Sequence, residues 1–391
     1  MKRLVKVIGI IALLSLTLPV SGCWNGRELN DLAIVTGMGI DWLPQSKQYR
    51  LSFQVVNPRS VSTGVNGGGG TGDKPIVVYS ENGDTLFGSL RKTSRKVSRQ
   101  LFFSHTQLLV VGEDMARQGI EKLFDFFDRA HEFRLNTPVI VAEGTTAENV
   151  LERVTPLEKV TADGLAKRLR VTKSVWAHNV TMQVREVVSA LSGLGDFALS
   201  GIRIEQKGTL KFDRIAIFEK GKMIGWLKGD AAVGILQIRN QIRSTIVELD
   251  CPVQSNNDKI AVELVNSKAG IKLEMRNGSP FFHLLVEEAG NITEVHCAMD
   301  LNNKEAMTKL QGQWAKITKA TIVRTVKATQ QKKSDVLGFG DAVKRSYPKQ
   351  WKKMKTNWDE RYAGVQFDVR VEAYLRLTGM TGKTYIADRE K

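Results

Sequence analysis

The clearest pattern in the chain is a strict alternation of apolar and polar residues close to its end. Apolar side chains occupy every second position from 365 to 377, which is the period of a strand with one buried face. Residues 49–55 repeat this alternation, whereas residues 34–40 are mostly apolar, as in a fully buried strand. Residues 303–331 instead have helical spacing, and their predicted buried stripe comprises Met307, Leu310, Trp314, Ile317 and Thr321.

The remaining elements are predicted from shorter patterns and from turn residues. In the first half of the chain, helices separate short strands, which are predicted at 76–79, 108–111 and 138–142. Thr145 and Glu148 have the spacing of a capping box that opens a short helix. In the second half, Lys220 and Gly221 indicate a hairpin turn. The strands that follow are predicted at 244–250, 259–266, 270–276 and 281–288, with Gly270 among the turn residues between them.

This order of elements predicts an α+β fold. Strands that alternate with helices, followed by an antiparallel meander, favour two to three mixed domains, each a mostly antiparallel sheet flanked by helices. Glycines at 193, 195 and 201 mark the expected boundary. We therefore predict a first domain over 23–198 and a second region, divisible into two subdomains, over 199–391. The helix over 303–331 is expected to cover one face of the strand over 365–377.

The first 23 residues have the features of an export signal. Lys2, Arg3 and Lys6 precede an apolar stretch over 7–18, which is too short to span a bilayer as a stop-transfer helix. Val20-Ser21-Gly22-Cys23 then matches the bacterial lipobox, in which the cysteine thiol receives diacylglycerol before cleavage. We therefore predict a signal peptide over 1–22 and a lipid anchor on Cys23, in preference to an ordinary signal with a chance cysteine.

The charge of the chain is strongly positive, with 57 Lys and Arg against 41 Asp and Glu. Nucleic acid is a common partner of such proteins, but export argues against it. The densest positive stretch, 304–355, has fourteen basic and three acidic residues. It is either a solvated helix face or a contact with anionic headgroups or with acidic loops of membrane subunits.

Cysteine and histidine positions restrict the possible chemistry. Cys251 and Cys297 fit either a single disulfide or two buried thiols, and we favour the thiols because each cysteine ends a strand-like run. His131 and Glu132 begin a zinc-protease motif, but Leu135 stands where the second histidine belongs. The sequence also lacks a recognisable set of paired catalytic carboxylates or a nucleophile elbow. We expect no enzyme activity, and no cofactor or metal beyond the covalent lipid.

Short motifs run in order along the whole chain. The mature start, 23–29, reads Cys-Trp-Asn-Gly-Arg-Glu-Leu. The motifs that follow include Gly39-Ile40-Asp41, His105, Val111-Gly112-Glu113, Glu132-Phe133-Arg134, Lys222-Met223-Ile224-Gly225, Asp335-Val336-Leu337-Gly338-Phe339-Gly340, Trp351 and Trp358-Asp359-Glu360. In number and order they resemble the Ger(x)C family, the lipoprotein C subunits of nutrient germinant receptors in endospore-forming bacteria.

The resemblance implies mixed sheet-and-helix domains on the outer face of the inner spore membrane. It also implies assembly with membrane-embedded A and B subunits, and it implies no catalytic residues. The family-motif residues with an expected structural or partner-contact role are Trp24, Arg27, Glu28, Asp41, His105, Glu132, Arg134, Trp351 and Trp358. The resemblance places no nutrient pocket on any residue.

The residue types suggest what these positions do. His105 is expected to make structural hydrogen bonds. Glu132 and Arg134 are expected to form an ion pair or cap at a domain interface, or else a charged partner contact. Trp351 and Trp358, seven residues apart, are expected to pack in the core.

The sequence therefore predicts a lipid-anchored, non-catalytic receptor subunit that supports assembly or signalling in germination. The alternative is a lipid-anchored extracytoplasmic solute-binding protein. That class would require two doubly wound lobes around a cleft. The predicted meander and the long strand over 365–377 argue against it.

Overall fold

The computed structural model describes residues 28–57, 74–130, 132–154, 157–193, 195–252 and 258–376. The strands are β1 (Leu32–Leu43), β2 (Gln48–Val56), β3 (Ile76–Gly83), β4 (Gln100–Phe102), β5 (Leu108–Gly112), β6 (Pro138–Ala142), β7 (Met182–Gln183), β8 (Phe197–Ile204), β9 (Leu210–Glu219), β10 (Lys222–Lys228), β11 (Thr245–Asp250), β12 (Lys259–Arg276), β13 (Ser279–Val295) and β14 (Gln366–Arg376). The α-helices are α1 (Leu86–Thr93), α2 (Glu113–Gln118), α3 (Glu121–Arg129), α4 (Ala147–Glu152), α5 (Thr161–Val175), α6 (Val184–Leu191), α7 (Asp230–Ile238), α8 (Lys304–Gln331), α9 (Phe339–Ser346), α10 (Pro348–Met354) and α11 (Trp358–Ala363).

Ten strands form one large mixed sheet in the order β10-β9-β8-β6-β5-β1-β2-β3, with β4 beside β1 and β7 beside β6. The central strands β1, β5, β6 and β8 are parallel to one another, β4 is parallel to β1, and the other strands pair antiparallel. Because parallel strands begin at the same edge of a sheet, Leu32 and Phe197 lie along one edge, which we call the starting edge. The antiparallel β9 ends there, so the predicted Lys220–Gly221 turn also lies at this edge. The sheet includes β8 to β10 and therefore continues across residue 198.

Alternating side chains bury both faces of this sheet. Leu109 and Val111 pack with residues of α1 to α3 and α6, whereas Leu108 and Val110 pack with residues of α4 and α5. At β8 and β9, the face that packs with α4 and α5 elsewhere in the sheet is covered by other elements. Ala198, together with residues of β9, packs there with the C-terminal part of the chain. The two halves of the protein therefore share one apolar core.

The second sheet has the order β11-β12-β13-β14. Strands β12 and β13 form a long antiparallel hairpin, and β14 pairs parallel with β13 because the intervening chain crosses over through α8 to α11. Helix α8 packs against β14, as the sequence pattern predicts. The α+β class is confirmed, and most strand pairs in both sheets are antiparallel.

Several local predictions are corrected. The strands expected at 259–266 and 270–276 are one strand, β12, and Gly270 lies inside it opposite Leu285. The buried stripe of α8 includes Leu310 and Trp314 but then moves to Thr318, while Ile317 is 40% exposed. These two corrections have the same cause. Each prediction used the pattern of a single segment, whereas contacts with other segments determine where the strand continues and which helix residues are buried.

The capping box at Thr145 and Glu148 is also corrected. Thr146 is the N-cap of α4, and its hydroxyl accepts a hydrogen bond from the Asn149 N–H. The Glu148 carboxylate instead pairs with Arg50 on β2, at 2.9 Å. The capping glutamate that the spacing suggested is therefore used to tie α4 to the sheet.

The prediction of two free thiols is wrong. Cys251 and Cys297 form a disulfide, with their Cα atoms 6.5 Å apart. Both cysteines are buried, so that part of the prediction agrees with the structure. Cys251 directly follows β11, and the paired strands β12 and β13 bring Cys297 to the same end of the second sheet.

Removal of this disulfide should lower stability, because the bond closes a loop with a sequence separation of 46. The double variant Cys251→Ser/Cys297→Ser should lose about 2 to 4 kcal/mol of unfolding free energy, through the greater entropy of the open unfolded chain. Guanidinium unfolding with and without dithiothreitol measures this. The wild type should become less stable under reduction while the double variant stays unchanged, and a wild type insensitive to reduction would contradict the assignment.

Candidate functional site

The loop between α8 and α9 places a carboxylate in the protein interior. Asp335 is 3% exposed, and two pairs of donors surround its two oxygens. Oδ1 accepts hydrogen bonds from the backbone N–H groups of Gly338 and Phe339, at 3.0 and 2.9 Å. Oδ2 accepts from the Gly340 N–H at 2.5 Å and from Trp358 Nε1 at 2.8 Å. Buried carboxylates need such donors, since each oxygen has lost its water.

The local sequence explains this geometry. Gly338 has φ = 81°, a left-handed conformation that glycine adopts without strain, and it turns the chain into α9. The three backbone donors are the first free N–H groups of that helix, where the helix dipole favours a negative charge. The motif Asp335–Gly340 is therefore a helix-capping loop closed on a single carboxylate.

A second buried carboxylate joins this loop to the large sheet. Asp196, just before β8, accepts a hydrogen bond from the Asp335 N–H at 2.7 Å. Its other oxygen accepts from the Lys220 N–H in the β9–β10 turn, at 3.3 Å. Ser334 adds a hydroxyl bond of 2.7 Å to the carbonyl of Phe218. The loop is thus bonded directly to the starting edge.

An ion pair and a group of aromatic rings complete this site. The Lys220 ammonium pairs with Asp359, which follows Trp358 on α11. Trp358 contacts Trp351, with ring centroids 5.2 Å apart, and both are buried. We call the set Asp196, Lys220, Ser334, Asp335, Trp358 and Asp359 the junction.

Burial raises the pKa of two junction carboxyls, Asp196 and Asp335. Desolvation raises the pKa of Asp196 to about 7, against hydrogen bonds from the backbone of Asp335 and Lys220 that lower it. Desolvation likewise raises the pKa of Asp335 to about 6, although the N–H groups of Gly340 and Phe339 oppose this shift. Near neutral pH, the junction therefore takes up protons more readily than ordinary aspartates do.

Asp41, a family-motif residue, makes a similar connection in the first half. Its oxygens accept hydrogen bonds from the N–H groups of Ala147 and Glu148 at the start of α4, at 2.8 and 3.2 Å. Desolvation raises its pKa to about 6. A Cβ atom on the neighbouring Gly112 would lie 2.0 Å from an Asp41 oxygen, so only glycine fits there. The adjacent Glu113 accepts a hydrogen bond from Trp226 Nε1 at 3.0 Å, which ties β10 to α2.

The other predicted site residues do not converge. Glu28, Glu132 and Arg134 are exposed. His105 is exposed too, and its ring lies 5.7 Å from that of Phe102. Cys23, Trp24 and Arg27 lie outside the described residues.

Sequence reasoning missed the roles of Asp196 and Glu288. Glu288 on β13 is 1% exposed and accepts hydrogen bonds from Gln237 and Thr318, both at 2.7 Å. Burial raises its pKa. The sequence indicated the role of Glu288 only through a charged residue in the strand predicted over 281–288. For Asp196 the indication was weaker, since this residue merely follows two glycines before a strand.

The structure also contains an open groove beside α1 and α3, of about 580 Å³. Tyr49, Leu86, Phe87 and Phe126 line it, and Arg129 stands among its polar residues. In the described residues, His, Cys, Asp and Glu side chains form no group of three or more that could hold a metal ion. Within the same part of the chain, none of the helices combines the length and the apolar character that crossing a bilayer requires.

Comparison with known proteins gives a consistent likeness over both halves. Residues 25–204 match the family described as "Spore germination protein N-terminal domain", and residues 213–379 match "Spore germination B3/ GerAC like, C-terminal". Spore germination protein KC of Bacillus subtilis (strain 168) is 34% identical over 396 residues, which cover 96% of each chain. Putative spore germination protein YfkR of the same organism is 26% identical and covers 93% of this chain and 94% of its own length. The crystal structure of the GerBC protein superposes with a TM-score of 0.57 at 19% identity, over 87% of this chain and 96% of that chain.

Truncation of Asp335 should destabilise the whole protein. Asp335→Ala leaves three buried donors, the N–H groups of Phe339, Gly340 and the Trp358 indole, without an acceptor, and we expect a loss of about 3 to 5 kcal/mol. The control is Asp341→Ala, six residues along and exposed in the first turn of α9, which should lose less than about 1 kcal/mol. Urea unfolding followed by circular dichroism measures both. Equal effects of the two substitutions would contradict the role given to Asp335.

Stability should rise as the pH falls from 8 towards 5. The pKa of Asp196 is about 7 when folded and near 3.8 when unfolded, so between these values the folded protein binds a proton that the unfolded chain does not. This stabilisation is complete below the lower pKa and is lost as the pH rises through the upper one. Its slope is at most about 1.4 kcal/mol per pH unit.

Asp335, Asp41 and Glu288 contribute in the same direction, so a variant is needed to isolate Asp196. Urea unfolding at several pH values should show a weaker pH dependence for Asp196→Asn than for the wild type. Asp341→Asn is the control and should keep the wild-type slope. An unchanged slope in Asp196→Asn would show that this carboxyl is not the titrating group.

Proposed function

The chain belongs to the Ger(x)C family of spore germination proteins, and on that premise we propose that it is the lipid-anchored, non-catalytic C subunit of a spore nutrient germinant receptor. The observation that carries the proposal is the likeness to spore germination protein KC along 96% of both chains. A match of this extent includes both sheets and the junction between them, so it concerns the whole protein and not one shared module.

The proposed anchor is diacylglycerol on Cys23. Its support is the lipobox, in which small residues precede the cysteine directly after an apolar signal segment. Two acyl chains hold a protein stably at a bilayer, at about 0.8 kcal/mol for each buried CH₂ group. We place the protein on the outer face of the inner spore membrane, assembled with the A and B subunits of its receptor.

The proposed role is mechanical. Through hydrogen bonds, the junction connects the starting edge of the large sheet to the loop between α8 and α9, two of the helices that link β13 to β14 in the second sheet. In the junction, donors within the protein already occupy the oxygens of Asp335, which suits a rigid connection better than proton transfer to a substrate. A rigid body of this kind can support receptor assembly or relay a movement between membrane subunits.

Spores that lack the gene test this proposal. The loss of optical density after addition of amino acids, sugars or nucleosides reports germination for each nutrient. We expect loss of the response to one nutrient set and normal responses to the others, because other receptors remain. A Cys23→Ala strain should lose the same response, and immunoblots of its spore membranes should show depletion of the protein.

The matched control is an Asp341→Asn strain, which changes an exposed residue and should germinate like the parent. A deletion strain with unchanged responses to the full panel would contradict the receptor role. A Cys23→Ala strain with normal germination and normal membrane content would contradict the anchor alone.

A further inference from the structure

A dense basic surface lies on α9, α10 and the 3-10 turn that follows. It consists of six exposed cations, which we call the basic end: Lys344, Arg345, Lys349, Lys352, Lys353 and Lys355. Among the described residues, none of these six makes an ion pair within 4.0 Å. Over residues 339–357 the one acidic residue is Asp341. Within the described ranges, the positive charge of this surface is therefore not neutralised by ion pairs.

The fold places the basic end beside the starting edge. The loop that begins α9 is bonded there through Ser334 and Asp335. Lys344 is nine residues beyond Asp335, and the residues between them are mostly in a helix that rises about 1.5 Å per residue. Trp351 then returns the chain to Trp358 in the junction. The six cations therefore lie near the junction, at the part of the starting edge formed by β8 and β9, three strands from β1 in the sheet.

The same edge receives the chain that comes from Cys23. Leu32, the first residue of β1, is nine positions beyond Cys23. Even fully extended, nine residues span about 30 Å. A lipid on Cys23 therefore holds the starting edge within that distance of the bilayer. The far end of α8 lies roughly 40 Å from the junction, because the helix has 28 residues.

We propose that the basic end docks on the anionic phospholipid headgroups of the bilayer that holds the anchor. This inference rests on the proposed lipidation of Cys23. The short connection and the uncompensated charge both point to the bilayer, and the docking would turn this surface and the starting edge towards it. The docking fixes the orientation of the protein, with the junction near the membrane and the disulfide end of the second sheet away from it.

Known electrostatics sets the expected size of the effect. Each Lys or Arg close to an anionic bilayer strengthens association about five-fold, so three together contribute roughly a hundred-fold. The attraction extends about 10 Å at moderate ionic strength and weakens as salt is added. An acidic loop of a partner protein is the other possible occupant, and a bilayer without partner subunits distinguishes the two.

The test uses the lipidated full-length protein, purified from membranes and reconstituted into vesicles of phosphatidylcholine or of phosphatidylglycerol. Hydrogen–deuterium exchange of α9 and α10 is measured by mass spectrometry in both. We expect slower exchange in phosphatidylglycerol, reversed by high salt. The triple variant Lys349→Gln/Lys352→Gln/Lys353→Gln should lose this protection. The matched control Lys304→Gln/Lys309→Gln/Lys316→Gln removes equal charge from the far half of α8 and should keep it.

The outcomes separate this surface from the anchor. Equal exchange of α9 and α10 in both lipids, or protection that survives the α10 triple variant, would overturn the docking surface while the anchor stands. Loss of protection in the α8 variant instead would assign the contact to another face and also overturn it. Mass spectrometry of the same sample reports the lipid on Cys23, and an unmodified cysteine would overturn the anchor and this surface together.

Discussion

A carboxylate can stay inside a protein only where hydrogen-bond donors replace the water that it has lost, and Asp335 meets this condition with donors from two separate segments. Three are the first N–H groups of α9, and the fourth is the indole of Trp358 on α11. The backbone of Asp335 in turn donates to Asp196 at the edge of the large sheet. The positions of α9, α11 and the loop after α8 all depend on this one group, and so does the contact between the two halves of the protein.

The arrangement connects two regions that the chain separates widely. The large sheet begins near the proposed anchor, and the second sheet is built from the last third of the sequence. Apolar packing joins them, because Ala198 and residues of β9 share a core with α8, α9 and β13. Such packing is not directional, whereas the hydrogen bonds of Asp196 and Asp335 specify one register. The polar junction therefore sets the geometry that the apolar core stabilises.

Sequence patterns were sufficient where a single segment determined its own structure. Residues 366–376 of the alternating stretch form β14, and the Lys220–Gly221 turn was placed correctly because both residues adopt the left-handed conformation that such a turn requires. Sequence patterns gave wrong or incomplete predictions where a residue distant in the sequence determines the local structure. Thr318 is buried in place of Ile317 because its hydroxyl binds Glu288 on β13, which periodicity in α8 does not reveal. The disulfide depended on the pairing of β12 with β13, and the role of Asp335 depended on Trp358, 23 residues away. The motif residues could be recognised in order, but the contact between Asp335 and Trp358 in the junction required the fold.

The central claim is that the junction makes the two sheets one cooperative unit. Native-state hydrogen exchange of the backbone amides of Asp335, Gly338, Phe339 and Gly340 tests it most directly, with the amides of β8 and β9 as the reference. Our account predicts that the junction amides exchange only when the large sheet unfolds, with the same free energy of opening and the same dependence on denaturant. Junction amides that exchange at a much lower free energy, while β8 and β9 stay protected, would show that the second sheet separates on its own and would contradict the account.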